Sequence, residues 1–189
     1  MKSSGGPSVR PKSVLSLVPF LAALVGCAGP YGYARTYAPT GEESKALEGS
    51  REFDPVMAER EPDAWRKGNV SLFGVVVART DTASGEADLT VGLRRVEPRN
   101  LCESQASEDT CRVTVSEADF GVAHVLVKLA SGDASGELSV GRSSLVRVVG
   151  QLAPEPDTTD KKPVVHASFY RHWPRGYFVT RAAAASMRQ

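Results

Sequence analysis

The chain has 189 residues, of which 41% are hydrophobic and 24% charged, and its formal net charge is +1. This nearly neutral balance lacks the strong positive charge with which proteins neutralise nucleic-acid phosphates. No internal repeat is visible, and the patterned region is long enough for one domain but shows no second one.

The N-terminal residues have the features of a secretory signal. Lys2, Arg10 and Lys12 supply positive charge, and no acidic residue occurs before Glu42. A mostly apolar run covers residues 14–25. It is shorter than the roughly 20 residues that a membrane-spanning helix needs, but it is typical of the apolar core of a signal peptide.

The apolar run closes on Leu24-Val25-Gly26-Cys27, which resembles the lipobox of bacterial lipoproteins. This resemblance implies that residues 1–26 are removed and that Cys27 receives acyl chains, palmitate among them, which hold the protein at a membrane. Ala28 replaces the aspartate that retains many lipoproteins in the inner membrane, so we expect an outer-membrane protein facing the periplasm. Removing residues 1–26 takes the net charge from +1 to −2, so membrane lipid, not nucleic acid, is the expected partner.

The next segments lack strand-like patterning. Residues 27–40 contain Gly-Pro and Ala-Pro and no periodicity, which predicts a lipidated flexible tether. Residues 41–68 are predicted to be a short helical segment. Thr40 and Glu43 have the spacing of a capping box, and Asp54 before Pro55 is a typical helix start.

Residues 69–180 have the pattern of a small all-β domain. Strand-like segments separated by turn residues cover 70–79, 89–93, 112–116, 122–129, 145–152, 164–170 and 177–180. We expect a five-stranded OB-like barrel, with an immunoglobulin-like sandwich as the alternative. Gly74 and Gly150 inside strands predict bulges or sharp bends. The tail, 181–189, is alanine-rich and is predicted to form a short helix capped by Thr180.

Two cysteines remain once Cys27 is assigned to lipid. Cys102 and Cys111 flank a polar stretch, and an exported protein is in a compartment that permits disulfides. A bridge between them would remove about 2–3 kcal/mol of loop entropy from the unfolded chain. A metal-binding pair or a redox dithiol is the alternative, although the spacing is not C-x-x-C and no histidine lies nearby.

Three groups of residues occur in an order that resembles the Slp family, the starvation-inducible outer-membrane lipoproteins. They are Phe73-Gly74-Val75-Val76, the glycine-bounded strand 141–150, and Pro163-Val164-Val165 leading to Tyr170-Arg171-His172-Trp173-Pro174. The resemblance covers roughly two thirds of the mature chain. It implies an outer-membrane, periplasm-facing β-barrel-like domain and supplies no catalytic residue. The segment between Cys102 and Cys111 is not part of the family pattern.

Residue types that carry catalysis do not occur in a recognisable pattern. His166 and His172 are six residues apart and would share one face of a continuous strand, while His124 is distant in sequence. No fixed metal-binding spacing or nucleophile motif is present. We therefore expect no enzyme activity, no catalytic residue, no metal and no cofactor.

The segment from 169 to 178 combines five aromatic residues with two arginines and a histidine. Such residues bind rings, sugars or proteins by stacking and cation–π contact. They predict a binding patch made by Tyr170, Arg171, His172, Trp173 and Arg175. The alternative is that Phe169, Trp173 and Phe178 close the base of the barrel while the arginines face water.

Three functions follow from these patterns. The first is a membrane-anchored, non-enzymatic envelope lipoprotein whose barrel serves protein interaction or envelope structure. The second is a module that binds an envelope glycan or another small ligand on an OB-like surface. The third, a metal-dependent hydrolase, requires a bound metal ion.

Overall fold

The computed structural model describes residues 35–104 and 108–187. The predicted signal peptide, the predicted lipidation site Cys27 and the first part of the tether lie outside these residues. The strands are β1 Arg35–Thr36, β2 Arg51–Glu52, β3 Asn69–Asp81, β4 Ala87–Arg94, β5 Arg99–Cys102, β6 Cys111–Val115, β7 Val122–Val127, β8 Leu145–Leu152, β9 Val164–Trp173 and β10 Phe178–Thr180. The helices are α1 Gly41–Leu47, α2 Pro55–Arg60, α3 Pro62–Arg66 and α4 Ser131–Ala134, with 3-10 turns at Glu108–Thr110 and Arg181–Ala185.

Five strands form a closed barrel. β3 pairs with β4, β4 with β7, β7 with β9, β9 with β8, and β8 again with β3. Every pairing is antiparallel except that of β7 with β9. The ladder between β3 and β8, from Asn69 opposite Gln151 to Val75 opposite Leu145, closes the sheet on itself. The predicted five-stranded OB-like barrel is therefore confirmed, and the alternative of a two-sheet sandwich is wrong.

Alternating apolar residues fill the barrel. Leu89, Val91 and Leu93 of β4 are at most 1% exposed, and they belong to one core with Val125 and Val148. The period of two that predicted these positions arises because successive side chains of a strand point to opposite faces. Burying each such side chain contributes about 1.5–3 kcal/mol relative to leaving it in water.

Helices α2 and α3 close one end of this core. The Trp65 ring of α3 is 6% exposed and meets the Phe53 ring edge-on, with 5.9 Å between the ring centroids. Asp54 starts α2 by accepting hydrogen bonds at Oδ1 from the N–H groups of Val56 and Met57. The helix start predicted at Asp54-Pro55 is thus present.

The two strand glycines permit close backbone approach. A Cβ atom on Gly150 would lie 2.1 Å from the carbonyl oxygen of His166, and the ladder between β8 and β9 shifts register beside this glycine. The predicted bulge at Gly150 is confirmed. At Gly74 a Cβ atom would lie 2.7 Å from the carbonyl oxygen of Gly92, and the register shift in this ladder comes later, between Val76 and Ala78.

A second, smaller sheet covers part of the outside of the barrel. Its strand order is β1-β5-β6-β10, with β10 parallel to β6. The segments predicted as strands at 112–116 and 177–180 belong to this sheet and not to the barrel. Phe73 follows the core residue Leu72 on β3 and so faces outward, where it packs with Val113, Val115 and Trp173 in a second buried cluster.

The C-terminal turn differs from its prediction in how it begins. Thr180 occupies the position before the 3-10 turn Arg181–Ala185, but its side chain makes no capping bond. The N–H of Ala182 instead donates to Glu117 Oε2 at 3.3 Å. Within the described residues, no helix is both long and apolar enough to cross a membrane.

Candidate functional site

The five residues of the predicted binding patch lie on β9 or just after it, but they do not form one surface. Tyr170 and His172 point to one face of the strand, whereas Arg171 and Trp173 point to the other. Arg175 lies beyond the end of β9 and is exposed. The strand therefore divides the predicted patch between two environments.

Tyr170 and His172 hold the loop between β7 and β8. The Tyr170 hydroxyl donates to Asp133 Oδ2 at 2.7 Å and accepts from the Ala130 N–H at 2.8 Å. His172 Nδ1 lies 3.3 Å from Asp133 Oδ1. Burial, together with the hydrogen bond to Asp133, raises the pKa of the Tyr170 hydroxyl. These contacts fasten helix α4 to the barrel.

On the other face, Arg171 reaches a buried carboxylate. Glu43 of α1 is 0% exposed, and its Oε2 lies 2.8 Å from Arg171 Nη1 while its Oε1 lies 3.2 Å from Arg147 Nη1. The Tyr37 hydroxyl donates to Glu43 Oε1 at 2.5 Å. Burial raises the pKa of Tyr37, and the hydrogen bond to Glu43 raises it further. Glu43 also completes the predicted capping box with Thr40.

Aromatic rings flank the two arginines of this group. The Arg147 guanidinium carbon lies 4.5 Å from the Phe73 ring centroid, and that of Arg171 lies 4.6 Å from the Trp173 ring centroid. Tyr37 meets Phe73 edge-on at 5.7 Å between centroids. Trp173, 8% exposed, packs between the barrel wall and the outer sheet and does not close the barrel base. The alternative that placed Trp173 at the base is thus corrected.

A surface cleft opens over this group. We call it the basic cleft; it encloses about 690 Å³ and is lined by charged and aromatic side chains that include Arg35, Tyr37, Arg112, Arg171, Trp173 and Tyr177. No carboxylate lies among the described residues that line it. Two of the five residues of the predicted patch, Arg171 and Trp173, contribute to this cleft.

The cleft residues from other segments were not predicted. Arg35 and Tyr37 lie in the segment interpreted as flexible tether, which in the structure pairs with β5 through Arg35 and Thr36. Arg112 comes from β6, next to Cys111. The sequence offers no periodic signal that joins these residues, although the capping box at Thr40 indicated that order begins near this point.

The barrel wall made by β4 and β7 differs from the basic cleft in the residues that it exposes. OB folds commonly bind oligonucleotides on the face of their second and third strands, which here are β4 and β7. The outward positions there include Asp88, Thr90, Arg94, His124 and Leu126, with no Phe, Tyr or Trp among them. Single-stranded nucleic acid is bound by basic grooves with several stacking aromatics, whereas these outward positions carry one arginine and no Phe, Tyr or Trp.

His124 forms an ion-pair group on that wall. Its Nδ1 lies 3.0 Å from Asp88 Oδ1 and its Nε2 lies 3.3 Å from Asp160 Oδ2. Asp157 is also near. One ring nitrogen of His124 and one carboxylate oxygen each of Asp157 and Asp160 lie within 4.8 Å of one another. Divalent cations bind such atoms, but here His124 is bonded to the carboxylates. The group fastens the loop between β8 and β9 to the barrel.

We expect the stability of the protein to fall as the pH rises from about 6 to about 8. Burial lowers the pKa of His124, but its bonds to Asp88 and Asp160 outweigh this effect and raise it. Protonated His124 therefore stabilises the fold below the ordinary histidine pKa of about 6.5, and this contribution is lost as the pH rises through the folded pKa. The pKa values of Asp157 and Asp160 are lowered, chiefly by backbone hydrogen bonds, so both stay ionised in this range.

Urea unfolding at about pH 6 and at about pH 8 measures how much protonated His124 contributes to the free energy of unfolding. His124→Gln should flatten the pH dependence, whereas His166→Gln, at an exposed position on β9, should leave it unchanged. Equal pH dependence in the wild type and His124→Gln would contradict the assignment.

Cys102 and Cys111 form a disulfide across the β5–β6 ladder, where the two residues are direct partners. The predicted disulfide is confirmed, which removes the metal pair and the free dithiol as alternatives for this state of the chain. Cys102 is 1% exposed. The bridge joins the two ends of the polar segment, and Cys111 is one of the residues that line the basic cleft.

Comparison with known proteins identifies no family. No protein-family model and no curated protein matches the chain. Among solved structures, PriB from Ralstonia solanacearum is similar at 18% identity over 56% of this chain and 97% of that chain, with a TM-score of 0.29. A small single-stranded DNA-binding protein from Streptomyces coelicolor is similar at 19% identity over 56% and 91% of the two chains, with a TM-score of 0.32. At these values the likenesses carry no inference about function.

Proposed function

We propose that this protein is an envelope lipoprotein, anchored by acylated Cys27 after removal of residues 1–26. Its OB-like barrel serves protein interaction or envelope structure without catalysis. The proposal places it in the outer membrane, facing the periplasm, as a relative of the Slp lipoproteins. The lipobox, the Slp-like order of motifs and the disulfide support this proposal.

The observation that carries the proposal is the attachment of the N-terminal segment to the barrel. β1 pairs with β5, and Glu43 of α1 is buried against Arg147 and Arg171 of the barrel wall. Arg35 comes eight positions after Cys27, and a chain of eight steps extends at most about 29 Å. An acyl anchor at Cys27 would therefore hold the barrel close to the membrane surface, where its partners are envelope components.

A non-enzymatic role fits the bonding of the charged groups. Glu43, Arg147 and Arg171 bind one another, and the His124 group binds the loop between β8 and β9. In both places ionic contacts join separate segments of the chain. Ion pairs that stabilise a fold join segments in this way. A protein that only binds a partner does not need these charged groups to do chemistry.

Replacing Cys27 tests the anchor. Cys27→Ser is expected to abolish incorporation of labelled palmitate and to leave the precursor with its signal peptide, because serine offers no thiol for acylation. The wild-type protein extracted from membranes should have the mass of residues 27–189 plus acyl chains. Mass spectrometry and palmitate labelling measure both results.

Ala28→Ser is the matched control, since it changes the neighbouring residue and keeps the thiol. It should be labelled as the wild type is. A wild-type mass equal to the full chain, or labelling that persists in Cys27→Ser, would contradict the proposed anchor.

The basic cleft favours a second candidate function, binding of an envelope glycan or small ligand. Sugar rings stack on aromatic side chains, and Trp173 and two tyrosines line the cleft beside arginines. Titration with peptidoglycan fragments or lipopolysaccharide, followed by the fluorescence of Trp173 in a Trp65→Phe variant, tests this candidate. A flat response across these glycans would remove it.

A further inference from the structure

The group around His124 brings together metal-ligand atoms from two parts of the chain. His124 lies on β7, whereas Asp157 and Asp160 lie in the loop between β8 and β9. One ring nitrogen of His124 and one carboxylate oxygen of each aspartate lie within 4.8 Å of one another. Imidazole and carboxylate are both ligands of Zn²⁺. A histidine fixed on a strand distinguishes this group from a cluster of acidic surface residues.

The spacing of these atoms matches the size of a zinc site. His124 Nε2 lies 3.3 Å from Asp160 Oδ2. Zinc bonds to nitrogen and oxygen are about 2.0–2.2 Å long, so two ligands at the corners of a tetrahedron lie about 3.3–3.6 Å apart. A zinc ion therefore fits between these two atoms without movement of β7, and Asp157 supplies a third protein ligand. The fourth position of tetrahedral zinc is left for water.

Asp88 orients the histidine for this role. It lies on the neighbouring strand β4, outside the three ligands, and its Oδ1 is 3.0 Å from His124 Nδ1. An ionised carboxylate only accepts hydrogen bonds, so Nδ1 carries the hydrogen and Nε2 is the atom that can bind a cation. Histidines that bind metals almost always donate their other ring N–H to a carboxylate, a backbone carbonyl or water.

Each aspartate is held by one oxygen and has the other to offer. Asp160 Oδ1 accepts from the N–H of Lys162 at 2.9 Å, while Oδ2 is the oxygen that faces His124. Asp157 Oδ1 accepts from the N–H groups of Thr159 and Asp160, at 2.7 and 3.2 Å. Carboxylates that bind metals are themselves hydrogen-bonded in this way. All three ligands thus have neighbouring groups that fix them before a cation binds.

The charges around His124 favour a divalent cation. Three carboxylates surround the ring, and its proton offsets only one of their negative charges. Lys161 and Lys162 follow in the loop, but both are exposed and neither is among the ion pairs of the described residues. A divalent cation in place of the proton neutralises more of the negative charge.

We propose that His124, Asp157 and Asp160 form a binding site for Zn²⁺, with Asp88 as the residue that orients the histidine. The cation replaces the proton that otherwise joins His124 to Asp160, and it binds the loop between β8 and β9 more firmly to the barrel. The site is separate from the basic cleft and does not depend on the membrane anchor. The sequence shows no metal-binding spacing here because 36 residues separate His124 from Asp160.

Unfolding at increasing zinc concentration tests the proposal. The full-length protein is purified without a polyhistidine tag and with Cys102 and Cys111 joined, so that neither the tag nor these thiols bind zinc. A cation that binds only the folded state raises the folding equilibrium constant in proportion to its concentration above the Kd. Each tenfold rise in zinc should therefore raise this constant about tenfold, as measured by urea unfolding.

Asp157→Asn is the variant that separates a zinc site from an ion pair, because no ion pair joins Asp157 to His124. Asparagine keeps the Oδ1 acceptor for the loop, so the stability without zinc should stay close to that of the wild type. Zinc binding should weaken more than in Asp88→Asn, where loss of the orienting carboxylate should cost about 10–100-fold. Asp63→Asn, at a side chain that is 91% exposed on α3, is the matched control and should bind zinc as the wild type does.

The comparison of these variants decides the proposal. A zinc-dependent gain in stability that Asp63→Asn keeps and Asp157→Asn loses would support the site. Stability that does not respond to zinc, or that responds equally in both variants, would overturn it and leave His124 as an ion-pair partner only. Circular dichroism checks folding, and Asp88→Asn takes the place of Asp157→Asn in the comparison if that variant does not fold.

Discussion

Glu43→Ala is expected to lower the free energy of unfolding by about 3–5 kcal/mol, the range for breaking a buried ion pair by removing one partner. The carboxylate is fully buried and contacts Arg147, Arg171 and the Tyr37 hydroxyl. Its removal leaves two guanidinium groups without a counter-charge and one hydroxyl without its acceptor. Equilibrium unfolding in urea, extrapolated to water, measures the loss.

Two companion variants show which property of Glu43 matters. Glu42→Ala removes an exposed carboxylate from the same helix and should change stability by no more than about 0.5 kcal/mol. Glu43→Gln keeps the shape and a carbonyl acceptor, so its difference from Glu43→Ala separates charge from hydrogen bonding. A loss of less than about 1 kcal/mol in Glu43→Ala would mean that the N-terminal segment is not held by this contact.

Gly150→Ala is expected to cost about 3 kcal/mol, at the upper end of the usual range for overpacking. The added Cβ would lie 2.1 Å from the carbonyl oxygen and 2.8 Å from the carbonyl carbon of His166. Both are backbone atoms of the neighbouring strand, so no side-chain rotation relieves the clash. The seam between β8 and β9 must open, which urea unfolding and amide hydrogen exchange along β9 would both report.

Gly141→Ala provides the comparison for this substitution. A Cβ atom at Gly141 would meet nothing within 4 Å, so that variant should be close to the wild type in stability. If Gly150→Ala were as stable as Gly141→Ala, the backbones of β8 and β9 would not lie as close together at the register shift as described.

Local patterns predicted the parts of the fold that depend on neighbouring residues. The alternation of Leu89, Val91 and Leu93 predicted β4 because a strand repeats every two residues. The capping box of Thr40 and Glu43 was predicted because both bonds lie within one helical turn. The bulge at Gly150 was predicted because glycine alone fits where another backbone comes so close.

Contacts between distant segments could not be predicted in this way. Arg171 and Glu43 are 128 residues apart, and His124 is 36 residues from Asp88 and from Asp160. Such pairs form only when strand register places them side by side, and a one-residue slip would turn each side chain to the other face. The same reason explains why the patch on β9 was interpreted as one surface although its members alternate between two.

The sequence by itself predicted β3, β4 and the strands from β6 to β10, because period-two patterning and glycine placement act over a few residues, but it did not predict β1, β2 or β5. It also predicts the anchor at Cys27 and identified the cysteine pair that the structure joins. The tertiary structure alone decided which five strands close the predicted barrel, and that β1, β5, β6 and β10 form the sheet on its outside. It alone assembled the basic cleft, since Arg35, Arg112 and Arg171 meet only after strands far apart in the chain have paired.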